Sequence, residues 1–272
     1  MNKLIEQTAK PNTVETLASD LEEVGVTSDM TLLVHTSLSR IGWVNGGAVA
    51  LVDALMSVLD KEAGTLIMPT QTSDLSEPSN WENPPVPQSW WPEIRRTMTA
   101  YDPLTTPCPY MGVVPNVFRS YPGVSRSSHP AVSFASWGKD AREITSDHGI
   151  DFGLGENSPL KKLYDNDALI LAIGTEYDAS TAMHLGEYRA PGASIREEGA
   201  PIIADGERVW QTYKDIELDE DHFPVIGKQL EEDGRVKIGH IGNAVVKLYS
   251  VKDAVDYSTR YFTAYRRNNP EI

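Results

Sequence analysis

The amino-acid sequence predicts an α/β fold in a single domain. Over the first two thirds of its 272 residues, short apolar runs alternate with amphipathic helical patterns, as in a sheet whose strands are joined by helices. After Gly192 the pattern changes to strands joined by tight turns, which indicates antiparallel hairpins in the C-terminal third. We therefore expect one domain over residues 1–272, with a long substrate-side loop at 70–110 and an antiparallel segment at 193–250.

The composition argues against several classes of function. With 39 acidic and 24 basic residues the formal net charge is −15, which opposes binding to nucleic acid or to anionic membranes and favours a cationic small molecule. Solubility alone would explain the same charge. The N-terminus lacks the apolar core of a signal peptide and no apolar stretch is long enough to span a bilayer, so we expect a cytoplasmic protein. The single cysteine, Cys108, excludes an intrachain disulfide and a cysteine metal cage.

The first part of the chain predicts a helix followed by a βαβ unit. The helix lies between Thr13 and Gly25, and the unit consists of a strand at 31–35, a helix at 48–59 and a second strand at 64–69. Such a unit is right-handed, with its two strands parallel.

The loop at 36–47 inside this unit is a candidate binding loop. Thr36, Ser37 and Ser39 carry hydroxyl groups and Arg40 a guanidinium, and the glycines let a ligand approach the backbone closely. The loop matches neither the P-loop pattern nor the dinucleotide-binding pattern. It therefore either holds phosphates or a pantetheine arm at the following helix N-terminus, or serves only as a turn.

A proline-rich segment follows the second strand, from Thr70 to Pro109. Loops of this length inside a compact domain are usually functional or disordered, and its three tryptophans argue against disorder. We interpret the segment as a wall or lid of a substrate site, with Asp74, Glu77 and Glu82 as candidate contacts for a cation. For each acid taken singly, surface decoration explains the residue nearly as well.

The middle of the chain predicts short helices around one strand. Helices are expected at 111–119 and 139–145, a strand at 132–138, and a further helix with Ser158 as its N-cap. His129 precedes a proline on an extended segment beside two hydroxyl groups. It either lines the site or anchors a turn.

The strongest catalytic signal follows the buried strand predicted at 168–174. Three polar residues of N-cap type open a helix there, Asp178, Ser180 and Thr181. His184 then lies in the first turn, and Glu187 lies on the same helix face, where its carboxylate can hold one ring nitrogen while the other points outward. Such a pair forms a general base, and ligands in open α/β sheets bind at strand ends of this kind. The pair is equally compatible with a buried histidine beside a solvated acid.

The C-terminal third predicts two hairpins and a final helix. The hairpins lie at 201–213 and 236–248, and the helix spans about 253–265. The acidic run from Asp215 to Asp221 lies between the hairpins. Such runs are usually solvated, and this one could also form the rim of a cation site.

Seven stretches keep a common order and spacing over nearly the whole chain. They are VHTSLS at 34–39, GWVNGG at 42–47, MPT at 68–70, TP at 106–107 with MG at 111–112, RSSHP at 126–130, GENSPL at 155–160 and TAMHLGE at 181–187. Together they resemble the aminoglycoside 3-N-acetyltransferase family, the antibiotic acetyltransferases unrelated to the GNAT fold. The departure is Ser180-Thr181, where the family pattern leads us to expect Asn-Thr.

The resemblance implies a three-layer α/β/α fold with a mixed sheet, acetyl-coenzyme A as donor and no metal. It implies that His184 is the general base and that Glu187 orients it. It also implies a set of residues along coenzyme A: Thr36, Ser37, Ser39, Arg40, Thr106, Met111 and His129.

From this resemblance we predict acetyl transfer to an amine, the 3-amino group of an aminoglycoside, with Asp74, Asp178 and Glu217 supplying counter-charge. The same chemistry on a non-antibiotic amine is the close alternative. Two further alternatives are a metal-dependent hydrolase using His35, His129 and His184, which lack the usual ligand spacing, and a non-catalytic protein that sequesters a cationic drug. A homodimer is left open.

Overall fold

The computed structural model of this protein describes residues 2–82 and 84–269. Two sheets and the helices around them account for its regular structure. The strands are β1 Thr31–Thr36, β2 Thr65–Pro69, β3 Ser125–Arg126, β4 Phe134–Gly138, β5 Leu169–Ile173, β6 Ile195–Ala204, β7 Glu207–Ile216, β8 Val236–Ile241 and β9 Ala244–Ser250. The α-helices are α1 Asn2–Glu6, α2 Val14–Val24, α3 Leu38–Ile41, α4 Gly47–Val58, α5 Trp91–Thr97, α6 Val113–Phe118, α7 Ala141–Thr145, α8 Pro159–Asp165, α9 Ala182–Arg189, α10 Phe223–Glu232 and α11 Val251–Asn268.

The main sheet has seven strands in the order β3-β4-β2-β1-β5-β9-β8. Its three central strands are parallel, as the βαβ pattern predicts. The outer strands β4 and β9 run antiparallel to β2 and β5, and β3 and β8 complete the two edges. The predicted mixed sheet is therefore confirmed.

Alternate side chains of the central strands enter two cores on opposite faces of the sheet. Leu32 and Val34 pack with α2, α4 and α6 on one face, whereas Leu33 packs with α8, α9, α10 and α11 on the other. This separation follows from the two-residue period of a strand. The α/β/α layering is thus confirmed.

Local capping explains where the first core helix begins and ends. The Thr13 side chain accepts a hydrogen bond from the backbone N–H of Thr16, whose own hydroxyl accepts from the Thr13 N–H. At the other end Gly25 adopts φ 103°, a left-handed conformation that ends the helix.

The antiparallel segment predicted at 193–250 is divided between two sheets. Strands β6 and β7 form a separate two-stranded sheet that turns at Asp205-Gly206. The hairpin of β8 and β9 instead extends the main sheet, because β9 pairs with β5. The two predicted hairpins are present, but only the first lies outside the main sheet.

The long loop packs on the β6–β7 sheet through its middle part. Arg208 of β7 donates to the carbonyl of Met98 at 3.1 Å, and the Tyr101 N–H donates to the carbonyl of Pro201 at 2.9 Å. Within the loop Arg95 pairs with Glu77 at 2.5 Å. The two ends of the loop reach the carboxyl ends of the central strands, where Gln71, Tyr110 and Met111 line a cleft.

Throughout the two described ranges of the chain, every helix is too short or too polar to cross a membrane.

Candidate active site

A cleft of about 380 Å³ opens at the carboxyl ends of β1 and β5. The chain leaves β1 through α4 toward β2 on one side, whereas β5 lies on the other side, so the connections diverge between these two strands. Divergence of this kind opens a crevice in a parallel sheet, which is where ligands bind. The cleft is lined by Val34, His35, Thr36, Pro69, Gln71, Tyr110, Met111, Pro115, Thr175, Asp178, Ala179, Thr181, His184, Leu218 and Glu220.

His184 and Glu187 are paired on the first turns of α9. His184 Nδ1 lies 2.5 Å from Glu187 Oε2, and the ring packs edge-on against Phe223 with centroids 4.8 Å apart. The predicted contact is therefore present. Because Nδ1 is engaged and the side chain lines the cleft, Nε2 is the ring nitrogen that a ligand can reach.

Glu187 is fully buried, and three groups compensate its charge. Its Oε1 accepts the backbone N–H of Asp219 at 2.9 Å and lies 4.0 Å from Nη2 of Arg266. The third group is the imidazole of His184. A buried carboxylate needs such partners, because desolvation otherwise strongly disfavours its charged form. The carboxylate is thus held in one position behind the histidine.

Helix α11 fixes the position of α9 from behind. A Cβ on Gly186 would lie 2.5 Å from the Ser258 side chain, so glycine is required for this close approach. Ser258 Oγ donates to the carbonyl of Met183 at 2.7 Å, and Arg266 donates to the carbonyls of Glu187 and Ala190 at 2.7 and 2.9 Å. Side chains of α11 therefore hold α9, the helix that carries His184, near its start and at its end.

The start of α9 differs from the prediction. Thr181 occupies the N-cap position but makes no side-chain cap bond, and a short 3₁₀ turn at Tyr177–Ala179 precedes it. Asp178 accepts instead from the N–H of Ala179, and Ser180 Oγ accepts from the Tyr249 hydroxyl at 3.0 Å. The predicted N-cap residues thus organise the turn before the helix.

His35 is a second histidine of the cleft, which our sequence analysis considered only as a metal ligand. It is buried, and its Nε2 has no hydrogen-bond partner among the described residues. Burial, and secondarily the nearby charge of protonated His184, lower the pKa of His35 to about 4. A histidine directly after the apolar run Leu32–Val34, within a predicted strand, was the available signal, because strand interiors rarely hold an unpaired polar group.

The segment 36–39, which carries the hydroxyl groups of Thr36, Ser37 and Ser39 and is called the hydroxyl loop below, lines a second groove of about 510 Å³ beside the cleft. Thr36 lines both cavities, and Ser37 and Ser39 line the groove alone. Its remaining lining is apolar or glycine: Leu4, Leu38, Gly42, Trp43, Val44, Gly47, Gly112, Val113 and Val114. Among the described residues the groove lining contains no acidic side chain, whereas Asp178 and Glu220 lie in the cleft.

Three residues that the resemblance associated with coenzyme A lie outside the linings of both cavities. Arg40 is exposed at the end of the hydroxyl loop. Thr106 holds its own loop, since its hydroxyl accepts the N–H of Asp102 at 2.9 Å. Of the four residues Arg40, Thr106, Met111 and His129, only Met111 lines the cleft.

His129 is the third of these residues, and it anchors a turn. Its Nδ1 accepts the backbone N–H groups of Ala131 and Val132 at 3.2 and 3.1 Å, so Nε2 carries the proton and donates to the carbonyl of Ile150 at 3.1 Å. Burial lowers its pKa to about 3. His35 and His184 line the cleft, whereas His129 does not, and both of its ring nitrogens bind backbone. The cleft therefore does not bring together the three histidines of the hydrolase hypothesis.

The predicted acidic contacts are dispersed. Asp178 lines the cleft, but Asp74 does not, and Glu217 lines a separate cavity of about 250 Å³ beside Arg266. Glu220 of the predicted acidic run reaches the cleft instead.

The other acids and the cysteine are not available for binding in the cleft. Glu77 is paired with Arg95, Glu82 is exposed outside the cleft, and buried Asp215 accepts the Tyr188 hydroxyl. Cys108 is buried, and burial raises the pKa of its thiol. This environment disfavours a nucleophilic thiolate.

Residues 33–263 match the model of a protein family described as aminoglycoside 3-N-acetyltransferase. The chain belongs to this family. It is 46% identical over 263 residues to the SPbeta prophage-derived aminoglycoside N(3')-acetyltransferase-like protein YokD of Bacillus subtilis (strain 168), covering 96% of each chain. It is 31% identical to aminoglycoside N(3)-acetyltransferase VII of Streptomyces paromomycinus, covering 95% of this chain and 94% of that one.

Solved structures agree with this assignment. The crystal structure of YokD superimposes with a TM-score of 0.95 at 45% identity, over the full length of both chains. The family member AAC-IIIb, solved as a binary complex with CoASH, superimposes with a TM-score of 0.84 at 26% identity, covering 94% of this chain and 98% of that one. The enzymatic class of the family is thus acetyl transfer.

Proposed function

We propose that this protein transfers the acetyl group of acetyl-coenzyme A to an amine of an aminoglycoside, at the 3-amino group, with His184 as general base. The observation that carries the proposal is the pairing of His184 Nδ1 with a fully buried Glu187, which leaves Nε2 open in a cleft beside the hydroxyl-lined groove. That arrangement meets the geometric requirement for a general base at a ligand-binding edge of the sheet.

The groove fits the donor chemically. Hydroxyl groups of Thr36, Ser37 and Ser39 can bind pantetheine amides and phosphate oxygens, while Trp43 and Val113 offer apolar contact along the arm. The Thr36 hydroxyl is buried and has no hydrogen-bond partner among the described residues, so a ligand bound beside it would supply one. The lining holds no carboxylate that would repel phosphates, although the protein as a whole carries a net charge of −15. The binding of CoASH by AAC-IIIb supports this assignment.

The cleft fits a cationic acceptor. Asp178 and Glu220 lie in its lining, so the acidic groups are on the His184 side and absent from the groove. This separation of charge favours an ammonium compound in the cleft beside His184 and a phosphate-bearing donor in the groove. The name of the Streptomyces paromomycinus relative, which specifies position 3 of aminoglycosides, supports the acceptor and the regiochemistry.

The reaction follows from the two functions of the His184 ring. Glu187 fixes Nδ1 as the protonated nitrogen. An acceptor ammonium first releases one proton to solvent, and neutral Nε2 then takes a second proton from the amine nitrogen as this nitrogen attacks the thioester. The carboxylate then stabilises the imidazolium that forms. His184 finally returns the proton to the departing sulfur, which gives a free thiol. The protein supplies no covalent acetyl carrier in this scheme.

Thiol release from acetyl-coenzyme A tests this proposal. We expect turnover with aminoglycosides that carry a free 3-amino group, and NMR of the product should locate the acetyl group there. Simple polyamines of equal charge serve as controls for charge alone. Turnover with polyamines but not with aminoglycosides would assign the chemistry to a non-antibiotic amine, and coenzyme A binding without turnover on any amine would overturn the proposed reaction.

A further inference from the structure

His35 is a polar side chain in a place where the fold does not need one. It follows Leu33 by two residues on β1 and therefore faces the same side of the sheet, on which Leu33 packs in a cluster of apolar residues. It is only 7% exposed, and its Nε2 is buried with no hydrogen-bond partner in residues 2–82 and 84–269. An unsatisfied buried group of this kind destabilises the folded state.

The same end of the cleft collects further unpartnered groups. In the part of the chain that the structure describes, six buried side-chain polar atoms have no partner, and three of them belong to cleft residues: His35, Thr36 and Thr175. Thr36 ends β1 and Thr175 follows β5, so all three lie at the crevice between these strands. Buried polar groups that lack protein partners and converge on one cleft indicate a bound polar atom.

The two cleft histidines have opposite surroundings. His184 has a buried carboxylate on its Nδ1, whereas Nε2 of His35 has no hydrogen-bond partner in the described part of the chain. Burial keeps His35 neutral, since its pKa is lowered to about 4. A neutral imidazole is a poor base at neutral pH, but it is a good hydrogen-bond donor that brings no charge of its own.

We propose that His35 is a catalytic residue that donates a hydrogen bond to the thioester carbonyl oxygen as this oxygen gains negative charge. This inference rests on the proposed acetyl transfer. The amine nitrogen bonds to the carbonyl carbon and loses its proton to His184 Nε2, while the carbonyl electron pair moves onto the oxygen that His35 contacts. When that pair returns, the carbon–sulfur bond breaks, and the sulfur leaves with the electron pair and takes the proton from His184. Donors aimed at such an oxygen act mainly in the transition state.

The test combines rates with stability for two variants, His35→Leu and His35→Gln. Leu removes the donor and suits the apolar core, so we expect kcat to fall about 10²- to 10³-fold, with an unchanged or higher midpoint of thermal unfolding. Gln keeps an N–H donor and should retain part of the rate. The affinity for coenzyme A should be unchanged in both. His240→Leu, at an exposed position on β8, is the matched control and should keep full activity.

The outcomes separate this inference from the proposed function. If the wild-type protein turns over and folded His35→Leu keeps its kcat, the role of His35 is overturned while the proposed function stands. A variant that loses stability in proportion to its activity, or two variants that both fail to fold, would assign His35 a structural role and overturn the inference. No turnover by the wild-type protein on any amine would overturn both.

Discussion

Arg266 and Glu187 are separated by 79 residues in the chain, yet the Arg266 guanidinium donates to the Glu187 carbonyl at 2.7 Å and lies 4.0 Å from its carboxylate. The same guanidinium binds the carbonyl of Ala190, the C-cap residue of α9. One side chain of the last helix therefore both ends the helix that bears His184 and compensates the buried charge behind it.

Removing this guanidinium should weaken the protein and the site together. Arg266→Met leaves two carbonyls and a buried carboxylate with fewer partners, so the free energy of unfolding should fall by about 1–3 kcal/mol. Urea unfolding of the variant measures this loss. Arg267→Met removes an exposed arginine one residue later and should leave stability unchanged. Equal stability of the two variants would contradict the role given to Arg266.

Glu187→Gln tests the orientation of the base. The amide has nearly the shape of the carboxylate, but it cannot compensate an imidazolium and can present its NH₂ group to Nδ1. We expect kcat to fall by about 10²- to 10⁴-fold with little change in the affinity for coenzyme A. Steady-state kinetics and equilibrium binding provide the two readouts. Glu232→Gln, at an exposed position on α10, is the control, and a Glu187→Gln enzyme as fast as that control would refute the account.

The hydroxyl loop should govern donor affinity. Replacing Ser37 and Ser39 together by Ala removes two groove hydroxyls, so KM for acetyl-coenzyme A should rise about 5- to 30-fold with kcat nearly unchanged, as expected for lost hydrogen bonds of about 1–2 kcal/mol in total. Ser120→Ala, at an exposed site outside both cavities, should leave KM unaltered. A fall in kcat at constant KM would instead place the loop at the reacting atoms.

Stability should depend on pH through buried neutral histidines. His148 donates from Nε2 to the Gly153 carbonyl at 2.6 Å and accepts at Nδ1 from Ser127, and burial lowers its pKa to about 4. The unfolded chain has an ordinary histidine pKa near 6.5. The contribution of His148 to the free energy of unfolding is therefore complete above about pH 6.5. It decreases as the pH drops toward about 4, because in that range only the unfolded chain protonates this histidine.

Unfolding free energies between pH 7 and pH 4 measure this effect. A single buried histidine contributes up to about 1.4 kcal/mol per pH unit to the slope of the unfolding free energy against pH. His148→Gln should therefore reduce that slope by up to this amount. His129, whose pKa is lowered to about 3, acts in the same direction and remains in the variant. The exposed His240 supplies the control, His240→Gln, which should keep the wild-type slope. Parallel curves for wild type and His148→Gln would disprove the linkage.

Local patterns were sufficient for most of the fold and for the contact between His184 and Glu187. These two residues are three apart on one helix, so their spacing alone predicts that they can touch. Helix ends are likewise predictable from capping residues a few positions away, as at Thr13, Gly25 and Ser158.

The remaining features depend on contacts between distant parts of the chain. Nothing near Arg266 in sequence indicates that it reaches Glu187, and nothing near β9 indicates that it pairs with β5 rather than forming a separate sheet. The sequence could not show that the His129 ring anchors a turn. A histidine on an extended segment gives no indication of which backbone groups will bind its ring. Glu220 could not be distinguished from Glu217 until the cleft itself was defined.

The central claim is that His184 is the base for acetyl transfer, and thiol release by His184→Ala tests it most directly. Initial rates with acetyl-coenzyme A and an aminoglycoside should be measured for wild type and variant, with coenzyme A binding determined on the same samples. Loss of kcat by a factor of about 10² or more with binding retained is the result that we predict. Wild-type kcat in the folded alanine variant would contradict the account, because the reaction would then proceed without the imidazole.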